Sequence, residues 1–142
     1  MRAISLWQPW ATLVALGLKQ FETRHWVTDY RGPLAIHAAK RWTKEQSHFT
    51  MQLLADPVVG YVLRQFGYAA PDKLPLGAVV CTVRLAKILN TEYVLATDQV
   101  GIIEQMLGNY SIGRKAWLLL DVKRLDPPVP AIGHQGFWEW EG

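Results

Sequence analysis

Strand-like segments stand at both ends of the chain with helical ones inserted between them, and this order limits the fold more than any other feature. Residues 3–6, 21–24, 34–38, 77–89 and 115–125 read as strands, the last two long and rich in apolar or β-branched residues. Pro9 suits the first helical position. A helix over residues 10–16 would set Trp10, Leu13 and Val14 on one face, with Gly17 as its stop. Thr43-Lys44-Glu45-Gln46 matches a capping box and predicts a helix through about residue 55. Asp56-Pro57 restarts a helix that ends at Gly67, residues 71–75 form a loop, and a further helix is expected over about 98–107. Pro127, Pro128 and Pro130 should end the last long strand, leaving residues 134–140 as a turn or short helix. Strands outside and helices inside point to an α+β fold rather than a doubly wound sheet.

A chain of 142 residues fits one domain over 1–142, and with half its residues hydrophobic and 19% charged it can bury a core. Cys81 is the single cysteine, so no intramolecular disulfide can form. It lies in an apolar run, as a buried thiol would. No run of about 18 apolar residues spans a membrane, and the start of the chain lacks the apolar stretch of a signal peptide. A reducing cytoplasm is the expected compartment. Trp117 reads as core, and Trp138 and Trp140 as a plug that closes the fold.

The net charge of +3 is unevenly spread. Residues 1–44 carry seven basic side chains against two acidic ones, and the remainder eight against ten. A positive field at one end attracts polyanions, although a solvated face has the same composition. Seven tryptophans include core residues, but flat rings also suit stacking on planar ligands.

The most specific chemistry lies in residues 17–24. On a strand, Glu22 and Arg24 share a face, and Lys19, just past the helix stop, can fold towards them. A carboxylate between two cations can orient both, and the group offers donors to a phosphate or a base edge. It can equally be an ion-pair cluster that pins the first helix to the strand.

Gly17-x-Lys19-x-x-Glu22-x-Arg24 resembles the GxKxxExR signature of the ASCH (activating signal cointegrator homology) family, in the PUA-like superfamily. Residues 5–11, with Gln8-Pro9-Trp10-Ala11, resemble the family's opening segment. Residues 30–38 resemble its RGPLxIHA strand, and residues 116–119 and 136–140 extend the likeness along nearly the whole chain. The resemblance implies a β-barrel of about six strands that closes its own edges and is flanked by helices, with the signature at the floor of a cleft. It also implies binding of RNA or DNA, transcriptional coactivation and, in some branches, hydrolysis. Lys19, Glu22 and Arg24 would take the cleft floor, and Gln8, Trp10, Arg31 and His37 its walls, with Trp7 or Trp10 stacking on the ligand.

One branch resembling this chain hydrolyses N4-acetylcytidine. Its lysine corresponds to Lys19, a threonine occupies the position of Glu22, and a glutamate lies on a later strand matching residues 77–85. Arg84 stands here in place of that acid, and an arginine cannot act as a general base. As an enzyme, the chain would use Lys19 and Glu22 as its catalytic pair, in a ribonuclease or an amidohydrolase. Arg84 would instead add positive charge to the cleft.

Lys40-Arg41-Trp42 joins two cations to a ring, as single-strand binding surfaces do, or else Trp42 staples the following helix. His37 faces either the cleft or the barrel wall. Residues 111–114, small residues ending in Arg114, fit a phosphate-facing loop. His25, His37, His48 and His134 show no metal-ligand spacing, and no metal or cofactor is expected. The expected partner is RNA or another single-stranded nucleic acid, with DNA or a nucleotide as alternatives and no membrane.

Overall fold

The computed structural model describes residues 1–142. Along the chain run β1 (Arg2–Leu6), α1 (Trp10–Ala15), β2 (Phe21–Arg24), β3 (Gly32–Ala38), α2 (Lys44–Ala55) and α3 (Val59–Gln65). A 3-10 turn (Pro71–Lys73), β4 (Ala78–Asn90), α4 (Thr91–Ala96), α5 (Ile102–Met106), β5 (Lys115–Pro130) and β6 (Trp138–Glu139) follow. All six strands join one mixed sheet in the order β2-β5-β4-β3-β1-β6. Only β1 and β3 run parallel, and Ser5 of β1 lies in register with His37 of β3. The long antiparallel pair β4–β5 runs from Asn90↔Lys115 to Ala78↔Pro130 and forms the middle of the sheet.

The fold is α+β as the element order predicts, but the sheet is not a closed ring. Its edges are β2 and β6, and no ladder joins β2 to β1 or β6. This opening between β2 and β1 is where the signature residues lie.

Helix α1 is buried on every side rather than along one stripe. Ala11 and Val14 pack with Ile4, Leu6, Leu34, Ile36 and Trp117 of the sheet. Leu13 belongs to a second cluster with Leu53 and Leu54 of α2, Val59 and Leu63 of α3, and Leu107. The helix is a filling between the sheet and the α2–α3 layer, so it is almost wholly apolar, and its one polar side chain, Thr12, is bonded to Gln8. Burying each Leu or Val side chain contributes about 1.5–3 kcal/mol. At α2 the capping box is complete: Thr43 accepts from the Gln46 amide, and the Gln46 side chain accepts from the Thr43 amide.

Three boundaries differ from the sequence reading. β5 passes through its prolines to Pro130, because the β4–β5 register shifts between Cys81↔Arg124 and Val79↔Val129. Residues 125–128 fall in that irregularity, where a missing N–H breaks no regular ladder. The tail forms the short edge strand β6, paired with β1 through Arg2↔Glu139 and Ala3↔Trp138. Its Trp138 and Trp140 pack against Ala3, Ala35 and Val79. Instead of one helix over 98–107 there are two, α4 and α5, on either side of Asp98, whose φ of 56° stops the first. Aspartate is one of the few non-glycine residues that tolerate this conformation.

Candidate functional site

Gly17 ends α1 at φ 76°, a left-handed stop that glycine adopts without strain. The chain then turns back, with the Lys19 amide bonded to the Leu13 carbonyl, and delivers Lys19 beneath β2. Lys19 is 1% exposed. Its Nζ donates to the Phe21 carbonyl and stands 3.3 Å from Glu22 Oε1. An ammonium carries three donors, so one N–H remains beyond these two partners. Glu22 Oε2 lies 3.5 Å from Arg24 Nε, and Arg24 Nη2 donates to the Ser5 carbonyl at 2.9 Å. A chain of polar contacts thus runs from Lys19 through Glu22 and Arg24 to β1, across the opening in the sheet. Strand parity explains the Glu22–Arg24 half: residues two apart on β2 share a face.

The segment from α5 to β5 braces β2 from the other side. Glu104 accepts from the amides of Gln20 and Phe21, each at 3.0 Å. The Asn109 amide donates to Thr23 Oγ1 at 3.3 Å, and Arg114 Nη2 to the Thr23 carbonyl at 2.8 Å. Beside them, burial pushes the Tyr110 phenol up, and the carboxylates of Glu104 and Glu22 push it further, so it stays protonated.

Of these groups, Lys19, Glu22, Thr23, Arg24, Asn109 and Arg114 line a cleft of about 480 Å³. Lys19, Arg24 and Arg114 bring three cations to its lining, and Glu22 is the one carboxylate there. Trp7 and Trp10 are its indole rings. Trp10 already stacks on Phe49, centroids 5.2 Å apart and planes 17° from parallel, and its Nε1 donates to the Leu107 carbonyl. Trp7 is 47% exposed, and the Arg41 guanidinium sits over its ring at 4.9 Å. Of the Lys40-Arg41-Trp42 group singled out by sequence, Arg41 does meet a ring, but that of Trp7.

Of the residues singled out by sequence, the cleft gathers Lys19, Glu22, Arg24 and Trp10. Gln8 is not a wall. Its side chain is fully buried, donating to Thr12 Oγ1 at 2.7 Å and the Pro75 carbonyl at 2.9 Å, while its backbone carbonyl accepts from Gln46. Arg31 is exposed and folds onto its own turn, donating to the carbonyls of Thr28 and Tyr30. Arg84 adds no charge to the cleft. It alternates with the inward-facing Val83 and Leu85 on β4, so it points out, and its Nε bonds Asp121 at 2.8 Å. Arg114 is the third cation instead.

His37 and Lys40 line a second cavity that adjoins the cleft. His37 is buried, with Nδ1 2.9 Å from Ser5 Oγ and Nε2 2.8 Å from the Ala131 carbonyl. The carbonyl can only accept, which makes Nε2 the protonated nitrogen and Nδ1 the acceptor for the Ser5 hydroxyl. Burial holds its pKa below the ordinary histidine value, with His134 adding to the effect against the Ala131 bond.

Local sequence patterns do not reveal Glu104, Asn109 or the pairing of Arg41 with Trp7, because each acts across a separation in the chain. Arg114 is visible there only as the cation ending a loop of small residues. No group of three or more His, Cys, Asp or Glu side chains converges in the structure to hold a metal ion, and no helix is long and apolar enough to cross a membrane.

No curated protein matches the chain. Among solved structures, it is similar to the crystal structure of ASCH from Zymomonas mobilis, at 17% identity and a TM-score of 0.53. That match covers 91% of this chain and 72% of the other. A Tyr-to-Phe mutant of the Zymomonas mobilis protein matches at 18% identity and a TM-score of 0.51, over 91% and 74% of the two chains. A Ser-to-Ala mutant gives the same identity and TM-score over 91% and 72%. Identities this low show a common fold. The ASCH domain model matches residues 4–129, so most of the sequence carries the family pattern, and the chain belongs to the ASCH domain family.

Proposed function

We propose that this ASCH domain binds nucleic acid, capturing a nucleotide or a short single strand, RNA before DNA, in the cleft between β2 and β1. The observation that carries the reading is the charge of the cleft: Lys19, Arg24 and Arg114 against Glu22 alone, beside exposed Trp7. Cations held in place by protein carbonyls and a carboxylate meet a phosphate without first losing side-chain freedom. An exposed indole offers a face to a base whatever its identity. The association of ASCH family members with RNA and DNA supports the same reading. Glu22 orients its two neighbours or accepts from a base amine.

The test is a titration of labelled single-stranded RNA at several salt concentrations. Affinity should fall with a log–log slope of roughly −0.7 per phosphate neutralised. The double substitution Lys19→Ala with Arg24→Ala should abolish most of it. Flat salt dependence, or undiminished binding by the double variant, counts against the proposal.

The Lys19–Glu22 contact at 3.3 Å supports a second reading, a hydrolase acting on RNA or a modified nucleoside. Glu22 would serve as the base and Lys19 would hold the water or amide. Both Glu22 oxygens already face cations, which suits orientation better than proton abstraction. Incubation with N4-acetylcytidine and with labelled RNA, with and without a divalent metal, separates the two. Turnover lost in Glu22→Gln favours hydrolysis, and no turnover on either substrate leaves binding.

A further inference from the structure

Two cavities, not one, meet at Arg24. The second encloses about 650 Å³, and the first about 480 Å³, so each falls in the range of roughly 300–1,000 Å³ that houses a ligand. They share Ser5, Trp7, Arg24 and His25. The shared boundary has a physical origin. Arg24 extends from β2 to the Ser5 carbonyl of β1 over an opening that no strand pairing closes. Its guanidinium is fixed at the junction, held by that bond and by Glu22 at 3.5 Å.

The second cavity has no carboxylate in its lining. Lys40 and the histidines 25, 37 and 134 line it together with Arg24, and Trp26 adds a second indole to Trp7. One wall is the loop after β5, tethered where the Ala131 carbonyl meets His37. Gly133 lets that loop approach closely, since a Cβ there would stand 2.6 Å from Ser5 Oγ and 2.5 Å from His37 Cε1. The cavity is therefore walled by anchored backbone.

We infer that the site is bipartite: the cleft takes one nucleotide, the second cavity takes its neighbour, and Arg24 meets the phosphodiester that joins them. This rests on the nucleic-acid reading above and narrows its ligand to a single-stranded step of two or more nucleotides. A lone nucleotide fills only one side. A duplex, whose bases are paired and stacked, cannot splay two of them into separate cavities. Arg24, with five donors and one committed to Ser5, retains donors for a phosphate at the junction. Trp7, exposed at the same boundary, is placed for a base to stack there.

The test compares uridine and adenosine 5′-monophosphates with their 5′-phosphorylated dinucleotides, hexanucleotides and a hexamer duplex, by calorimetry or fluorescence. The dinucleotides should bind at least roughly tenfold more tightly than the monophosphates, as one added stacked base would give. Further length should add less, and the duplex should bind more weakly than its strands. Lys40→Ala with His134→Ala, both exposed positions, should weaken the dinucleotides several-fold more than the monophosphates. Lys19→Ala should weaken both. Monophosphates and dinucleotides binding equally, or the Lys40/His134 variant lowering both alike, overturns the bipartite site and leaves a single-nucleotide cleft. Failure of every probe to bind overturns the nucleic-acid reading along with it.

Discussion

Arg24 of β2 donates to the Ser5 carbonyl of β1 at 2.9 Å, bridging the two strands where the sheet has no ladder. One side chain therefore spans the gap between β2, which is paired only with β5, and β1, and sets a cation between the two cavities. Arg24→Lys keeps the charge but loses the planar fork that reaches Ser5 and Glu22 together. Chemical denaturation should show a loss of about 1 kcal/mol, the worth of a partly exposed hydrogen bond. RNA affinity should fall further than a conserved charge would allow. Unchanged stability and affinity in Arg24→Lys would mean that only the charge matters.

Gln8 should behave as a structural residue. Gln8→Leu strands Thr12 Oγ1, the Thr12 amide and the Pro75 carbonyl without their partner. Unmade bonds to buried groups cost about 1–3 kcal/mol each, and relaxation recovers part of that. Urea unfolding should therefore show a loss of about 2 kcal/mol or more, while the folded variant binds RNA as the parent does. Weakened binding at full stability would return Gln8 to the cleft.

His37 gives stability a pH dependence of known sign. Its pKa is lowered in the fold, so between that value and the unfolded value of about 6.5 the unfolded chain holds more protons. Stability should be complete above about pH 6.5 and decline as pH falls below it. Thermal unfolding from pH 7.5 to 5 should show this decline, and His37→Gln should flatten it. The groups that face His37 are Ser5, His134 and Trp138, so His134→Gln serves as the control for the neighbouring charge. A slope unchanged in His37→Gln assigns the decline to other groups.

Cys81 should be inert in the native protein. Burial pushes its thiol up to about 12, and its side chain is inaccessible in the main core cluster. Alkylation needs the thiolate. Iodoacetamide at pH 8 should label it only after denaturant is added, and rapid labelling of the folded chain would contradict its placement.

Much of the cleft floor is legible in the sequence alone. The signature residues fix their own neighbours, since Gly17 stops the helix and strand parity aligns Glu22 with Arg24. The capping box at Thr43–Gln46 is likewise a local device, and it forms as its pattern predicts. Features that depend on partners distant in sequence are not legible in this way. Arg84 lies on β4 and points out by alternation with Val83 and Leu85, but its pairing with Asp121, like the arrival of Arg114 beside Thr23, depends on segments that meet from afar. Gln8 is polar and near the signature, yet its burial follows from the Pro75 carbonyl and Gln46 arriving from elsewhere. The second cavity needs residues 131–136 folded back over Ser5 and His37, which no local pattern announces.

Nucleic-acid binding in the cleft is tested most simply by the affinity of single-stranded RNA for the protein and for its Lys19→Ala/Arg24→Ala variant, across a salt series. The parent should bind in a salt-sensitive way, and the variant far more weakly with a shallower salt slope. Parent and variant binding alike, or a parent that binds no RNA at low salt, would contradict nucleic-acid binding in the cleft.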